Sequence, residues 1–185
     1  MPFAFCLLPF AYGEEFIVVF LKIFCVALLL MLLGDFISTF CYHVPEHIFG
    51  RFHAVVHHSP NRSFVRYAIL TKKPSALITG FFGAFPYLMF IPILGIISPI
   101  GTILGLILAE CHVEWRHVSL EKWETPNSVK KICHILWITT PERHWEHHLN
   151  SRVAYGDIFT FYDKPAQAWF RFLLKFKKKL RTRYS

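Results

Sequence analysis

Charge is almost missing from two long stretches of this chain. Residues 75–109 carry none, and Phe16–Phe40 carry only Lys22 and Asp35. A bilayer-crossing helix needs about 20 consecutive apolar residues, so these runs exclude an ordinary soluble domain. No Lys or Arg precedes Lys22; a secretory leader needs a basic start and a small-residue cleavage site, and Met1–Tyr12 has neither. The five cysteines (Cys6, Cys25, Cys41, Cys111 and Cys133) form no CxxC pair, which argues against a disulfide framework. Those beside apolar spans behave as small hydrophobes. Flavin, haem and nicotinamide fingerprints are also lacking, so the chain is not a self-contained redox enzyme.

What is present reads as a single membrane domain over residues 1–185. The 185 residues are 54% hydrophobic, with mean hydropathy +0.40. Phe16–Phe40 predicts one crossing. Ser75–Ala109 is long enough for a helical hairpin turning at Ser98-Pro99-Ile100-Gly101, with Pro86 and Pro92 kinking its first arm. Of the 20 basic residues, all but Lys22 lie in Arg51–Lys73 or after His112. The positive-inside rule assigns both segments to the cytoplasm. The fold expected is an all-α membrane protein with three to four transmembrane helices and a helical cytoplasmic cap, to which 61–73 and 120–140 belong. Residues 164–185 form a basic C-terminal segment, within which Ala166–Arg183 predicts an amphipathic helix on the membrane surface. A pI near 9.4 beside such spans suits anionic lipid rather than nucleic acid.

Ten of the 11 histidines fall into four clusters just beyond the apolar stretches. They are His43 and His47; His53, His57 and His58; His112 and His117; and His144, His147 and His148. His134 stands apart. Residues three or four apart share a helix face, so the first and last clusters have metal-ligand spacing. Neutral imidazole suits iron, zinc and copper, and ten imidazoles suit two ions rather than one. His53 to His58 and His112 to His117 are five apart, which separates side chains on a regular helix. A π-bulge in each cluster would realign them. Asp35, Glu46, Glu114, Glu146 and Asp157 are the carboxylates available to orient the imidazoles.

These clusters resemble the fatty acid hydroxylase superfamily, also called the sterol desaturase family. His43-Val-Pro-Glu-His47 matches the family's first pair. Phe52-His53-Ala-Val-Val-His57-His58-Ser59 is similar to its first HxxHH with one residue inserted, and His117-Val-Ser to its mid-chain histidine. Thr140-Pro-Glu-Arg-His144-Trp-Glu-His147-His148 matches the final HxxHH with its Thr-Pro lead-in. Asn150 and Tyr155-Gly156-Asp157-Ile158-Phe159-Thr160-Phe161-Tyr162-Asp163 resemble the motif that follows. The likeness spans residues 35–163; after Asp163 the chain departs from the family with Lys-Pro-Ala-Gln.

The resemblance implies a histidine-bound centre of two iron ions, with zinc as a substitute. Its ligands would be His43, His47, His53, His57, His58, His112, His117, His144, His147 and His148, with Asp157 favoured as the carboxylate behind them. It implies hydroxylation or desaturation of an unactivated C–H position of a fatty acyl, sterol or isoprenoid lipid, using O2. Substrate would enter from the bilayer, and electrons would come from a carrier such as a ferredoxin or cytochrome b5-like protein, drawn to the basic cytoplasmic face. The segment Phe81–Tyr87 is a candidate channel lining, against a simpler reading as lipid-facing surface. A metal transporter is disfavoured, because a transport path needs polar groups near the bilayer midplane. A zinc hydrolase needs only three protein ligands and a general base. Ligands alone do not prove turnover, so the alternative to an enzyme is a degenerate, non-enzymatic histidine-rich membrane metal-binding protein.

Overall fold

The computed structural model describes residues 8–50, 52–58, 64–121 and 123–184. Residues 1–7 of the N-terminal apolar stretch and 61–63 of the expected cap lie outside the described residues. Helices α1 (Leu8–Ile37) and α2 (Val44–Phe49) are joined by a π turn, Ser38–His43, and a second π turn spans His53–His57. Then come α3 (Phe64–Thr71), α4 (Ser75–Leu88), α5 (Ile91–Ile97), α6 (Pro99–Arg116), α7 (Asn127–Ile135) and α8 (Pro141–Leu149). A 3₁₀ turn at Thr160–Tyr162 leads into α9 (Asp163–Tyr184). Among the described residues the β contact is an isolated bridge between Ile138 and Phe159, and the architecture is all-helical.

Two runs, Glu15–Phe49 and Ser75–Ile97, are long and apolar enough to cross a bilayer. A helix apolar on every side is either buried in protein or set in lipid. Phe16, Ile17, Val18 and Phe20 are all more than half exposed, an apolar surface of the kind that suits lipid. The second run breaks after Leu88 and resumes at Ile91. Pro86 lies inside α4, where it removes a helical donor, and Pro92 in the first turn of α5, where a missing N–H is tolerated. The hairpin turn falls at Ser98: its extended backbone stops α5, and its hydroxyl accepts from Gly101 N at 3.1 Å. Pro99 occupies the first helical position, where a missing N–H costs nothing.

Helix α6 packs back along α1. A Cβ on Gly101 would lie 2.7 Å from the Ile23 carbonyl oxygen, and one on Gly105 2.9 Å from that of Ala27. This small-xxx-small spacing lets two backbones approach. Val26, Leu30, Tyr87, Leu94, Ala109, Ile158 and Phe159 then form one core joining α1, α4, α5 and α6 to the loop before α9. A second cluster packs Ala166 and Leu173 of α9 on Val44, Ile48 and Tyr155. The expected C-terminal helix is present, with its inner face on α2. Phe172 and Phe176 are exposed on it.

Candidate metal centre

Nine of the ten clustered histidines converge where α1, α2, α6 and α8 end. The ring nitrogens of His43, His47, His53 and His147 lie within 4.8 Å of one another, as do those of His57, His117, His144 and His148. Each quartet is a set able to hold a metal ion. The rings of His53 and His57 lie side by side, 4.7 Å apart, across the π turn, and serve different quartets. Helix α8 splits its row in the same way: His147 joins the first quartet, His144 and His148 the second. That helix starts at the Thr-Pro lead-in: Thr140 caps it by accepting from Arg143 N, and Pro141 follows. His58 stands between the quartets, 4.7 Å from the His148 ring and 5.2 Å from that of His147. Its Nε2 is buried without a partner.

His112 does not join them. Helix α6 runs through Arg116 without a bulge, so His112 and His117 diverge by about 140° on the ordinary helical period. His112 Nε2 donates to Thr139 O at 2.9 Å, tying α6 to the segment before α8. His117 closes the helix and donates from Nδ1 to Val113 O at 2.6 Å. The π-bulge expected between these two is absent. The one between His53 and His57 is present, and the one before His43 has no counterpart in the sequence spacing. His134 is exposed.

The hydrogen bonds behind the rings fix their tautomers. A backbone carbonyl only accepts, so His147, 2.7 Å from Val153 O, and His117 both carry their proton on Nδ1. Their Nε2 lone pairs therefore face the quartets. Both His43 Nε2 and His47 Nε2 lie 2.9 Å from His147 Nε2. A single in-plane lone pair is poorly matched to two such neighbours, whereas a shared cation suits all three. In the second quartet His144 Nε2 is 3.0 Å from both His117 Nε2 and His148 Nε2. His53 has both ring nitrogens buried with no hydrogen-bond partner. Burial first, then the neighbouring imidazoles, holds His53 and His57 well below the usual histidine range. For His144, burial is followed by the Arg116 guanidinium, and for His147 by His43. These rings are neutral, the form that ligates metal.

Two buried carboxylates organise the surroundings. Asp157 Oδ1 lies 3.3 Å from His43 Nδ1 and accepts from Arg116 Nη1 at 2.7 Å, while its Oδ2 accepts from Ser38 Oγ at 2.6 Å. Burial would raise its pKa; Arg116, then His43 and Ser38, outweigh that and hold it well below the usual carboxylate range. Asp35 accepts from the backbone N–H groups of Asp157, Ile158 and Phe159 at 2.7–3.0 Å and from Thr39 Oγ1 at 3.0 Å. Gly156 is required beside them, since a Cβ there would lie 2.1 Å from Phe159 O. Asp163 closes the loop, accepting from Gly156 N at 2.8 Å and from Arg143. Of the other carboxylates considered, Glu46 accepts from the His53 backbone, Glu146 pairs with Arg143, and Glu114 is exposed.

A cavity of about 660 Å³ opens beside the quartets. His43, His53, His57 and His117 line it together with the charged Glu110, Glu114, Arg116 and Asp157, and Leu88, Leu106, Ala109 and Val113 add apolar surface. From the segment considered as a channel lining, Gly83, Ala84 and Tyr87 do reach it. Phe81, Phe82 and Phe85 face outward, at 55%, 48% and 40% exposure.

An all-helical chain with bilayer-length apolar runs and two all-imidazole quartets at their ends defines a class: a membrane protein with a histidine-rich site able to hold metal. The chain matches the fatty acid hydroxylase family over residues 15–167 and belongs to it. No curated protein and no solved structure matches it. Membership of this family points to a membrane-bound lipid hydroxylase or desaturase.

Proposed function

We propose that the protein is an O2-dependent lipid hydroxylase or desaturase whose two quartets hold a pair of iron ions. The observation that carries this reading is the shared cavity: histidines of both quartets line one pocket, which Leu88, Leu106, Ala109 and Val113 also line. The donor set fits metal. Nitrogen lone pairs face one another, and His53 and His58 have buried nitrogens that nothing else satisfies. Ring nitrogens 2.9–3.0 Å apart within each quartet are close enough for neighbouring imidazoles to share one ion. Iron, when bound, supplies O2 activation and oxidation of an unactivated C–H bond, chemistry beyond any side chain.

The chain's own groups bind, orient and exclude water. Val113 O, Val153 O and Asp157 fix the imidazole planes. The walls contributed by α4 and α6 hold an apolar chain with its reacting carbon toward His57 and His117. Three crossings, formed by α1, by α4 with α5, and by α6, put the quartets and the basic segments on the cytoplasmic side. Substrate enters from the bilayer, and an external electron carrier docks on the basic face. His58 is the ninth candidate ligand, and His112 is a structural residue.

The test is metal content per chain, by elemental analysis after expression in iron-replete cells, together with lipid products under O2 and a reductant. Two irons and an oxidised lipid are expected. Absence of stoichiometric iron, or zinc retained in both the His57→Ala and His147→Ala variants, would overturn the reading.

A further inference from the structure

Helix α7 divides its surface three ways. Cys133 is buried against the protein. Asn127, Lys131 and His134 share a polar, exposed side. Ile132, Ile135 and Leu136, at i, i+3 and i+4, share a third side and are 56%, 69% and 52% exposed; Trp137 follows at 59%. Protein, water and an apolar surrounding are what a helix lying flat in a bilayer interface meets. The backbone holds Trp137 in place. It stands in the left-handed region that closes the helix, at φ 54°, with its own N–H on His134 O and the Ile138 N–H on Cys133 O. Glycine is the ordinary residue of this closing motif, because a side chain at positive φ is strained. The fold therefore gains little from a strained, more than half exposed indole at this position.

What the indole meets follows from its depth. Thr139, two residues on, accepts from His112 Nε2 at 2.9 Å and donates to Ile158 O at 2.8 Å. Ile158 and Phe159 donate in turn to Asp35 of α1. The segment after α7 is thus tied to α6 about one turn before that helix ends at Arg116, and to α1 at Asp35. Counted from Phe16, Asp35 is the 20th residue, about 30 Å along a helix, which is the thickness of the hydrocarbon core. Trp137 therefore lies near the depth where acyl chains give way to headgroups, the layer in which Trp is enriched. Lys131, on the exposed polar side, can reach lipid phosphate from there.

We infer that the apolar side of α7 and Trp137 are set in the headgroup–acyl boundary of the bilayer, and that α7 anchors the helical cap to the membrane beside the spans. This rests on the reading of α1 and α6 as crossings.

The test compares the tryptophan fluorescence of wild-type protein and Trp137→Gly in nanodiscs of phosphatidylcholine and phosphatidylglycerol; the difference between them reports Trp137. Glycine suits positive φ, so the variant should melt no lower than wild type. A lower melting temperature would show an indole packed into the fold and overturn the proposal. The Trp137 component should lose intensity in lipids brominated on the acyl chain, more with bromine near the headgroup than near the methyl end, and acrylamide in the water should quench it weakly. Quenching by acrylamide but not by bromine means that water covers Trp137. Quenching by neither means that protein covers it, a second copy of this chain included. Either result overturns the proposal. Ile107→Trp, on the outer side of α6 at a position 54% exposed, tests the crossing itself. Its added component should be quenched by brominated lipid. If acrylamide alone quenches it, the crossing falls and the anchor with it; if bromine quenches it but not Trp137, the anchor alone falls.

Discussion

Asp35 sits at the end of an apolar helix and receives four hydrogen bonds, three from successive backbone N–H groups. Asp35→Ala would bury those donors without an acceptor, each costing about 1–3 kcal/mol. A loss of at least about 3 kcal/mol in thermal or denaturant unfolding is the expected outcome. The histidines divide by what faces them. His112→Ala should leave iron content unchanged while losing about 1–3 kcal/mol, because Thr139 O loses its donor. His117→Ala should lose an ion, read by elemental analysis. The neutral rings also set a pH dependence. His57, His144 and His147 stay unprotonated when folded, well below 6.5, but protonate near 6.5 in the unfolded chain. Between those values the unfolded chain binds more protons, so stability falls as pH drops through about 6.5. Metal-free protein should melt at a lower temperature at pH 5.5 than at pH 7.5. The sequence identified nine of the gathered histidines, because spacing along one helix is local information. It did not separate His112, whose partner is a carbonyl 27 residues away. It also underrated Asp35, although an acid inside an apolar span needs a partner.

At the scale of elements, the apolar runs and the Ser98-Pro99 turn were legible, since each depends on adjacent residues. The π turn at His53–His57 was signalled by a five-residue spacing. The one at Ser38–His43 gave no signal, because nothing in those six residues is spaced to expose it. The approach of α6 to α1 rests on Gly101 and Gly105, which the sequence offered without naming what they face. Gly105→Val should force the Ala27 backbone away and cost about 1–3 kcal/mol by overpacking, seen as a lower melting temperature in detergent. Gly95, with nothing within 4 Å of a Cβ built there, is the control: Gly95→Ala should be neutral or slightly stabilising.

Across the whole molecule, α9 has two faces with separable roles. Leu173 packs on α2, the helix that carries His47, whereas Lys178 and Lys179 are exposed. Leu173→Asp should lower the melting temperature and the metal content together. Reversing Lys178 and Lys179 to Glu should weaken association with anionic vesicles, by about 1 kcal/mol per charge removed near the surface, and leave melting unchanged. The Asp35 hub also has a bearing on time. Asp35 and Phe159 are 124 residues apart, so at about 5–20 residues per second the ribosome finishes the second roughly 6–25 s after the first. His43 and His47 leave the ribosome well before His147, and no quartet is complete until α8 has been made. On the function proposed above, metal can therefore be loaded only after α8 has emerged, late in synthesis of the chain.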